Sequence, residues 1–245
     1  MNKDLKDLEI KYERVVLPAA IMLQHQLPSE VVTNLNNYLN HLRSEKHRPS
    51  AGKFLVGQIH KGEQLDMDFK NDLLIGFVNI VENLATAYLR HFVEATQSPL
   101  RPKRIAIDKL WSVHSYEGDY NPIHDHMTKT QMGISFTCWT KIPEQIEQTN
   151  PDNKSAVLYE SSGAIDGYLN FTYGLTQISD PETLRPPQAR FIKPEVGKLL
   201  MFPSWMQHCV YPFRGEGERR TVAGNLNCFE LNKEELEEMK KNAGI

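Results

Sequence analysis

Cysteine is scarce in this sequence. Cys138, Cys209 and Cys228 stand far apart and form no CxxC pair, which excludes a disulfide scaffold or a structural zinc knuckle and points to a reducing compartment. Long hydrophobic runs are missing too. No stretch of about 18 apolar residues appears, so no membrane span is expected. The opening residues, Met1 to Leu8, are charged rather than apolar, so no secretory signal is expected and the chain reads as cytoplasmic. Charge of one sign is not in excess either. A formal net charge of −3 on 245 residues gives no indication of a nucleic-acid surface, and the basic cluster Arg101, Lys103, Arg104 reads as a solvated turn. There is no internal repeat and no low-complexity tract.

What is present is an ordinary globular composition, 24% charged and 40% apolar, with length enough for one large domain and a substantial core. The chain divides by texture. Residues 1–100 are mainly helical in pattern. After a polar start, residues 15–23 read as an extended edge segment, because Pro18 bars a central strand. Pro28 and Ser29 open a helix on which Val31, Leu35, Leu39 and Leu42 recur at helical spacing. Residues 54–59 suit a short strand or an ordered loop. The longest helical pattern spans 68–94, with Leu73, Phe77, Ile80, Leu84, Tyr88 and Phe92 as one core-facing stripe.

Beyond residue 100 the period changes. Short β-rich runs at 104–114, 133–140, 155–160, 167–173, 189–192, 198–202, 209–213 and 221–228 are separated by Gly, Pro, Asn and Asp. Together with a segment around His124 they suffice for two facing sheets, a sandwich or jelly roll. Asn232 followed by Glu235 is a capping box that opens a short C-terminal helix. The expectation is an α+β chain in a single domain over 1–245: helical support over 1–100, a jelly-roll core over 101–230 and a final helix over 231–245.

Chemistry concentrates in the stretch Asn121-Pro-Ile-His-Asp-His-Met-Thr128. On a strand, alternation puts the rings of His124 and His126 on one face, half or more of a divalent-metal site. Such pairs also arise by chance, so their company matters. Gly118 to Pro122 is a turn that aims the following strand inward. A third histidine, His208, begins a strand after the turn at Pro203 and Ser204, and Cys209 behind it faces the other way. One hairpin further on lie Arg219 and Arg220. A guanidinium deeper in the barrel than the metal can hold a carboxylate in bidentate fashion, and Thr221 shares the face of Arg219.

These residues together resemble the 2-oxoglutarate/Fe(II)-dependent oxygenases, specifically prolyl-hydroxylase-like members found in tailed bacteriophages, including cyanophages. The likeness rests on Gly118 to His126, on Gly133 to Pro143, on Phe202 to Phe213, and on an Arg-x-Thr segment ending in Gly224-Asn225. It covers roughly residues 15–230. It implies a double-stranded β-helix, a cupin-like jelly roll with supporting N-terminal helices. Carried over by position, His124, His126 and His208 become the Fe(2+) ligands, and Arg219 with Thr221 binds 2-oxoglutarate, Arg220 being the register alternative. O2 and a substrate of unread identity complete the partners, and the implied reaction is hydroxylation coupled to decarboxylation of 2-oxoglutarate to succinate.

The departure from the family is at position 126, where the usual facial set of two histidines and a carboxylate has a third imidazole. Asp125 is the backup ligand, although regular alternation points it away. Tyr116, Tyr120 and Trp205 are candidates for the mouth, with packing the better reading for Trp205, and the polar stretch 144–166 suits a lid. Two rivals remain open from the residues. One is a three-histidine cupin-like metal hydrolase or isomerase, which has no use for Arg219 and Thr221. The other is a non-catalytic binding protein on the same fold.

Overall fold

The computed structural model describes residues 20–52, 57, 59–97, 100, 103–147, 165–174 and 189–243. In chain order its elements are β1 (Leu23–Gln26), α1 (Ser29–Ser44), β2 (Glu63–Asp66), a 3-10 turn (Asp72–Leu74), α2 (Ile75–Thr96), β3 (Lys103–Ser115), β4 (Asn121–His124), β5 (Gly133–Lys141), α3 (Glu144–Glu147), β6 (Leu169–Thr172), β7 (Ala189–Ile192), β8 (Lys198–Pro203), β9 (Gln207–Val210), β10 (Arg219–Glu230) and α4 (Lys233–Ala243). The strands form a six-stranded antiparallel sheet, β1-β8-β5-β10-β3-β2, and a four-stranded one, β4-β9-β6-β7.

The large sheet is covered on both faces. One face carries Phe136, Cys138, Leu199, Met201, Val222 and Leu226 into a core shared with Leu35, Leu39 and Leu42 of α1 and Phe77, Val81, Ala85 and Tyr88 of α2. The other turns toward the small sheet, where Trp139, Leu200 and Phe202 meet Leu169, Phe171, Ile192 and Met206. Double coverage explains why β5 and β8 are buried almost without a break instead of alternating apolar with polar as a half-solvated sheet does. Gly224 sits where β10 is most crowded: a Cβ there would lie 2.5 Å from Phe136 Cζ and 2.7 Å from the Lys109 carbonyl oxygen.

Most expected elements are present, with differences at their ends. The α2 stripe is rotated: Leu73 and Phe92 are exposed, and the buried line is Leu74, Phe77, Val81, Ala85 and Tyr88. Small Ala85 lets the helix approach the sheet, and hydrophobicity alone did not select it over its larger neighbours. By length and composition Asp72–Thr96 meets the criterion for a membrane-crossing helix, yet it lays that buried line on the large sheet. β2 was not expected; it pairs with β3 at the sheet edge. β9 starts earlier than expected and stops at Val210, two residues short of Pro212, which has no N–H for a ladder. The capping box of α4 forms in both directions, Glu235 N–H to Asn232 Oδ1 at 2.8 Å and Asn232 N–H to Glu235 Oε2 at 2.9 Å. The strand at 155–160, most of 54–59, residues 15–19 and the body of the 144–166 stretch lie outside the described residues; residues 144–147 form α3.

Candidate metal centre

The three sequence-predicted histidines converge. Each offers one ligating atom, and these atoms all lie within 4.8 Å of one another. Ring centroids are 4.3 Å apart for His124 and His208, 4.9 Å for His126 and His208, and 5.4 Å for His124 and His126. The closest pair follows from the β4–β9 register, in which His124 and His208 are direct partners. His126 does not sit on the strand that was expected to carry it. β4 ends at His124, and the next residues run on without a ladder, held by the His126 N–H donating to the Ser204 carbonyl at 2.9 Å. Gly133 makes room for that return: a Cβ there would stand 2.5 Å from Ser204 Oγ and 2.2 Å from Thr128 Oγ1.

All three rings have Nδ1 engaged. His124 Nδ1 donates to the Pro122 carbonyl at 2.7 Å and His208 Nδ1 to the Met206 carbonyl at 2.9 Å. His126 Nδ1 donates to Asn225 Oδ1 at 2.9 Å, with Ser135 Oγ at 3.0 Å. A donating Nδ1 leaves Nε2 with its lone pair, the form in which imidazole binds a metal. Burial, reinforced by the mutual repulsion of the rings, holds their protonation low: His126 is lowered to about 4 and His208 to about 3, and His124 is lowered as well, mainly by burial. At neutral pH the site therefore presents three uncharged nitrogen donors. Trp111 meets His126 edge-on at 5.4 Å, and Phe171 and Phe202 pack on His208 at 5.6 and 5.2 Å, so the rings are walled on their apolar sides. Three neutral imidazole nitrogens brought together in this way are a donor set that would suit a divalent transition metal. Asp125 lines the same cavity but does not join the ligand cluster.

The cavity, about 310 Å³, opens between the two sheets. Strict alternation along β10 sends Arg219, Thr221, Ala223 and Asn225 into it, and β3 adds Lys109, Trp111, Val113 and Ser115 opposite them. Arg219 is 3% exposed. Its Nη1 donates to the carbonyls of Gly167 at 2.9 Å and Tyr211 at 3.1 Å, while its Nε is buried without a partner among the described residues. Burial draws this guanidinium down to about 10, still charged at neutral pH. A buried, charged donor with an unused N–H is costly unless a ligand takes it up.

Arg220 points the other way. It grips Glu218 through Nε at 2.9 Å and Nη2 at 3.0 Å, and its Nη1 reaches Asn36 and Asn40 of α1. His114, Arg43 and Lys141 also bond Glu218. This cluster, buried at Glu218, His114 and Arg220, ties α1 to the β10 strand that bears Arg219.

Of the proposed mouth residues, Tyr120 lines the cavity. Tyr116 instead accepts a hydrogen bond from Arg43 Nη2 at 3.1 Å, and Trp205 is 58% exposed away from the cavity. The sequence reading missed Trp111, Lys109, Ser135 and Gln64 as site residues, and gave Asn225 no role. The signal for Asn225 was there: counting by two from Arg219 and Thr221 leads to it.

Residues 109–225 match the model of a family described as "Putative 2OG-Fe(II) oxygenase", a span that contains all three histidines, Arg219 and Thr221. No curated protein matches the chain. Among solved structures it is similar to a prolyl-4-hydroxylase from Pseudomonas putida (TM-score 0.53, 15% identity, covering 84% of this chain and 91% of that one). It is also similar to HygX from Streptomyces hygroscopicus, solved with nickel, 2-oxoglutarate and hygromycin B bound (TM-score 0.53, 10% identity, 85% and 83%). A third is SnoN, an alpha-ketoglutarate-dependent epimerase from nogalamycin biosynthesis (TM-score 0.51, 12% identity, 84% and 75%). At these identities the likeness is one of fold, and the fold is the double-stranded β-helix.

Proposed function

We propose that this chain is a non-haem oxygenase that uses Fe(2+) and 2-oxoglutarate, the two cofactors for which the matching family is named, and that it hydroxylates a substrate at the mouth of the cavity. The observation that carries this reading is the coexistence, in one cavity, of three neutral imidazoles and a buried arginine whose Nε has no partner among the described residues.

His124, His126 and His208 would hold the iron, whose chemistry when bound is to activate O2 at the expense of the 2-oxo acid. The chain's own part is binding, orientation and exclusion of water. Arg219 and Thr221 face the same way on β10 and offer a charged fork and a hydroxyl to the distal carboxylate of 2-oxoglutarate. Charge supports a dianion. Two basic side chains, Lys109 and Arg219, and two acidic ones, Asp66 and Asp125, line the cavity, so their formal charges balance, and the histidines are neutral. The two positive charges of the metal are then left for the two carboxylates of the cosubstrate. The aromatic wall of Trp111, Phe171 and Phe202 keeps the ligand set dry, which strengthens these interactions. The three cysteines are free thiols, which supports a reducing setting such as a cytoplasm, that of the host if the chain is phage-encoded.

A three-histidine zinc hydrolase would use the same imidazoles but leaves Arg219 without a purpose. The deciding experiment is anaerobic addition of Fe(II) and 2-oxoglutarate to purified protein. A weak visible charge-transfer band, followed under O2 by succinate formation, is the expected result. A metal-replete, folded protein with neither band nor 2-oxoglutarate binding would overturn the proposal.

A further inference from the structure

Two of the three histidines orient themselves. The Nδ1 of His124 and of His208 each donates to the backbone carbonyl two residues upstream, Pro122 and Met206. No other side chain is needed to fix those tautomers. His126 differs. Its acceptor is a side chain, Asn225 Oδ1, brought from β10; Ser135 Oγ on β5 donates to the same oxygen at 2.9 Å and itself lies 3.0 Å from Nδ1. Asn225 and Ser135 are direct partners in the β10–β5 register, and they are 5% and 0% exposed. The two donors occupy both lone pairs of the amide oxygen. An acceptor of this kind suits a ligand that carries an N–H, as imidazole does. A carboxylate ligand at this position would have no such proton to give.

We propose that Asn225, buttressed by Ser135, is the positioning residue for His126, holding its ring as the Nδ1–H tautomer with Nε2 presented to the ion. The inference rests on the metal-centre reading above and names the residue that sets it. It follows that the identity of residue 225 governs the tautomer of His126 while leaving those of His124 and His208 alone.

The test uses full-length, metal-free protein with 15N-labelled histidine at neutral pH, read by NMR. Wild type should show His126 as the Nδ1–H form. Asn225→Ala should move the His126 signals toward a tautomer mixture and leave those of His124 and His208 in place. Co(II) affinity should fall about 10- to 100-fold, the usual effect of losing a residue that orients a ligand. Asn225→Asp keeps an acceptor oxygen and should hold both the tautomer and Co(II) affinity within a few-fold of wild type. Ser135→Ala should give a smaller loss than Asn225→Ala. Unchanged His126 signals and Co(II) affinity in Asn225→Ala would overturn the proposal. So would a common shift of all three histidines, which would mean general loosening instead of a specific hold. A wild type that shows the tautomer but binds no Co(II) would instead sink the metal reading it rests on.

Discussion

Replacing Arg219 with alanine tests the proposed cosubstrate pocket most directly. The guanidinium is buried and charged: Nη1 serves two carbonyls, and among the described residues Nε serves none. A carboxylate bound there makes charge-assisted hydrogen bonds worth about 1.5–3 kcal/mol, so the loss in 2-oxoglutarate affinity should be roughly 10- to 150-fold. The metal should be spared, because no histidine contact runs through residue 219; each Nδ1 is held by Pro122, Asn225 or Met206. Truncation also strands the carbonyls of Gly167 and Tyr211, at about 1–3 kcal/mol of fold stability, so a melting curve must accompany each titration. Arg219→Lys keeps the charge without the fork and should fall between wild type and alanine. Calorimetric titration of Co(II) into the metal-free proteins, and of 2-oxoglutarate into the Co(II)-loaded ones, gives both numbers. Equal losses of metal and cosubstrate, or undiminished 2-oxoglutarate binding, would refute the role assigned to Arg219.

Thr221→Val should weaken 2-oxoglutarate by only about 1 kcal/mol, some five-fold, since a single neutral hydroxyl is removed; titration under the same conditions reads it. Glu218→Ala leaves Arg220 and its neighbours with buried unpaired charge and should cost about 3–5 kcal/mol in urea unfolding, whereas Glu218→Ala with Arg220→Met should recover much of it. The Glu218 carboxyl is held well below its ordinary value by His114 and Arg220, against the opposing effect of burial. Its contribution is therefore present above the unfolded pKa near 4.5 and fades as pH falls toward the lower folded value. The histidines act at higher pH. With His126 at about 4 and His208 at about 3, the unfolded chain takes up protons below about pH 6.5 while the metal-free fold does not. Stability should thus drop from pH 6.5 toward 4 with a slope approaching ~1.4 kcal/mol per pH unit for each histidine, and His208→Ala should flatten that slope in pH-dependent denaturant melts.

Local pattern settled much of this protein. The change from helical to strand period near residue 100, the capping box at Asn232 and the pairing of His124 with His126 are short-range features, and a period or a motif is visible in the residues that make it. Choosing between Arg219 and Arg220 was not a local matter. Adjacent residues on a strand face opposite ways, so the choice depends on register, and register came from β10 lying between β3 and β5 with Glu218, Asn36 and Asn40 waiting on the far face for Arg220. The same holds for His126, which lies past the end of its strand and is aimed by the Ser204 carbonyl and Asn225, 78 and 99 residues further along the chain. Which helix face of α2 was buried, and that Trp205 and Tyr116 lie away from the cavity, were likewise decided by packing. Periodicity is carried by neighbours in sequence; the direction of a single side chain is decided by whichever groups the completed fold brings beside it.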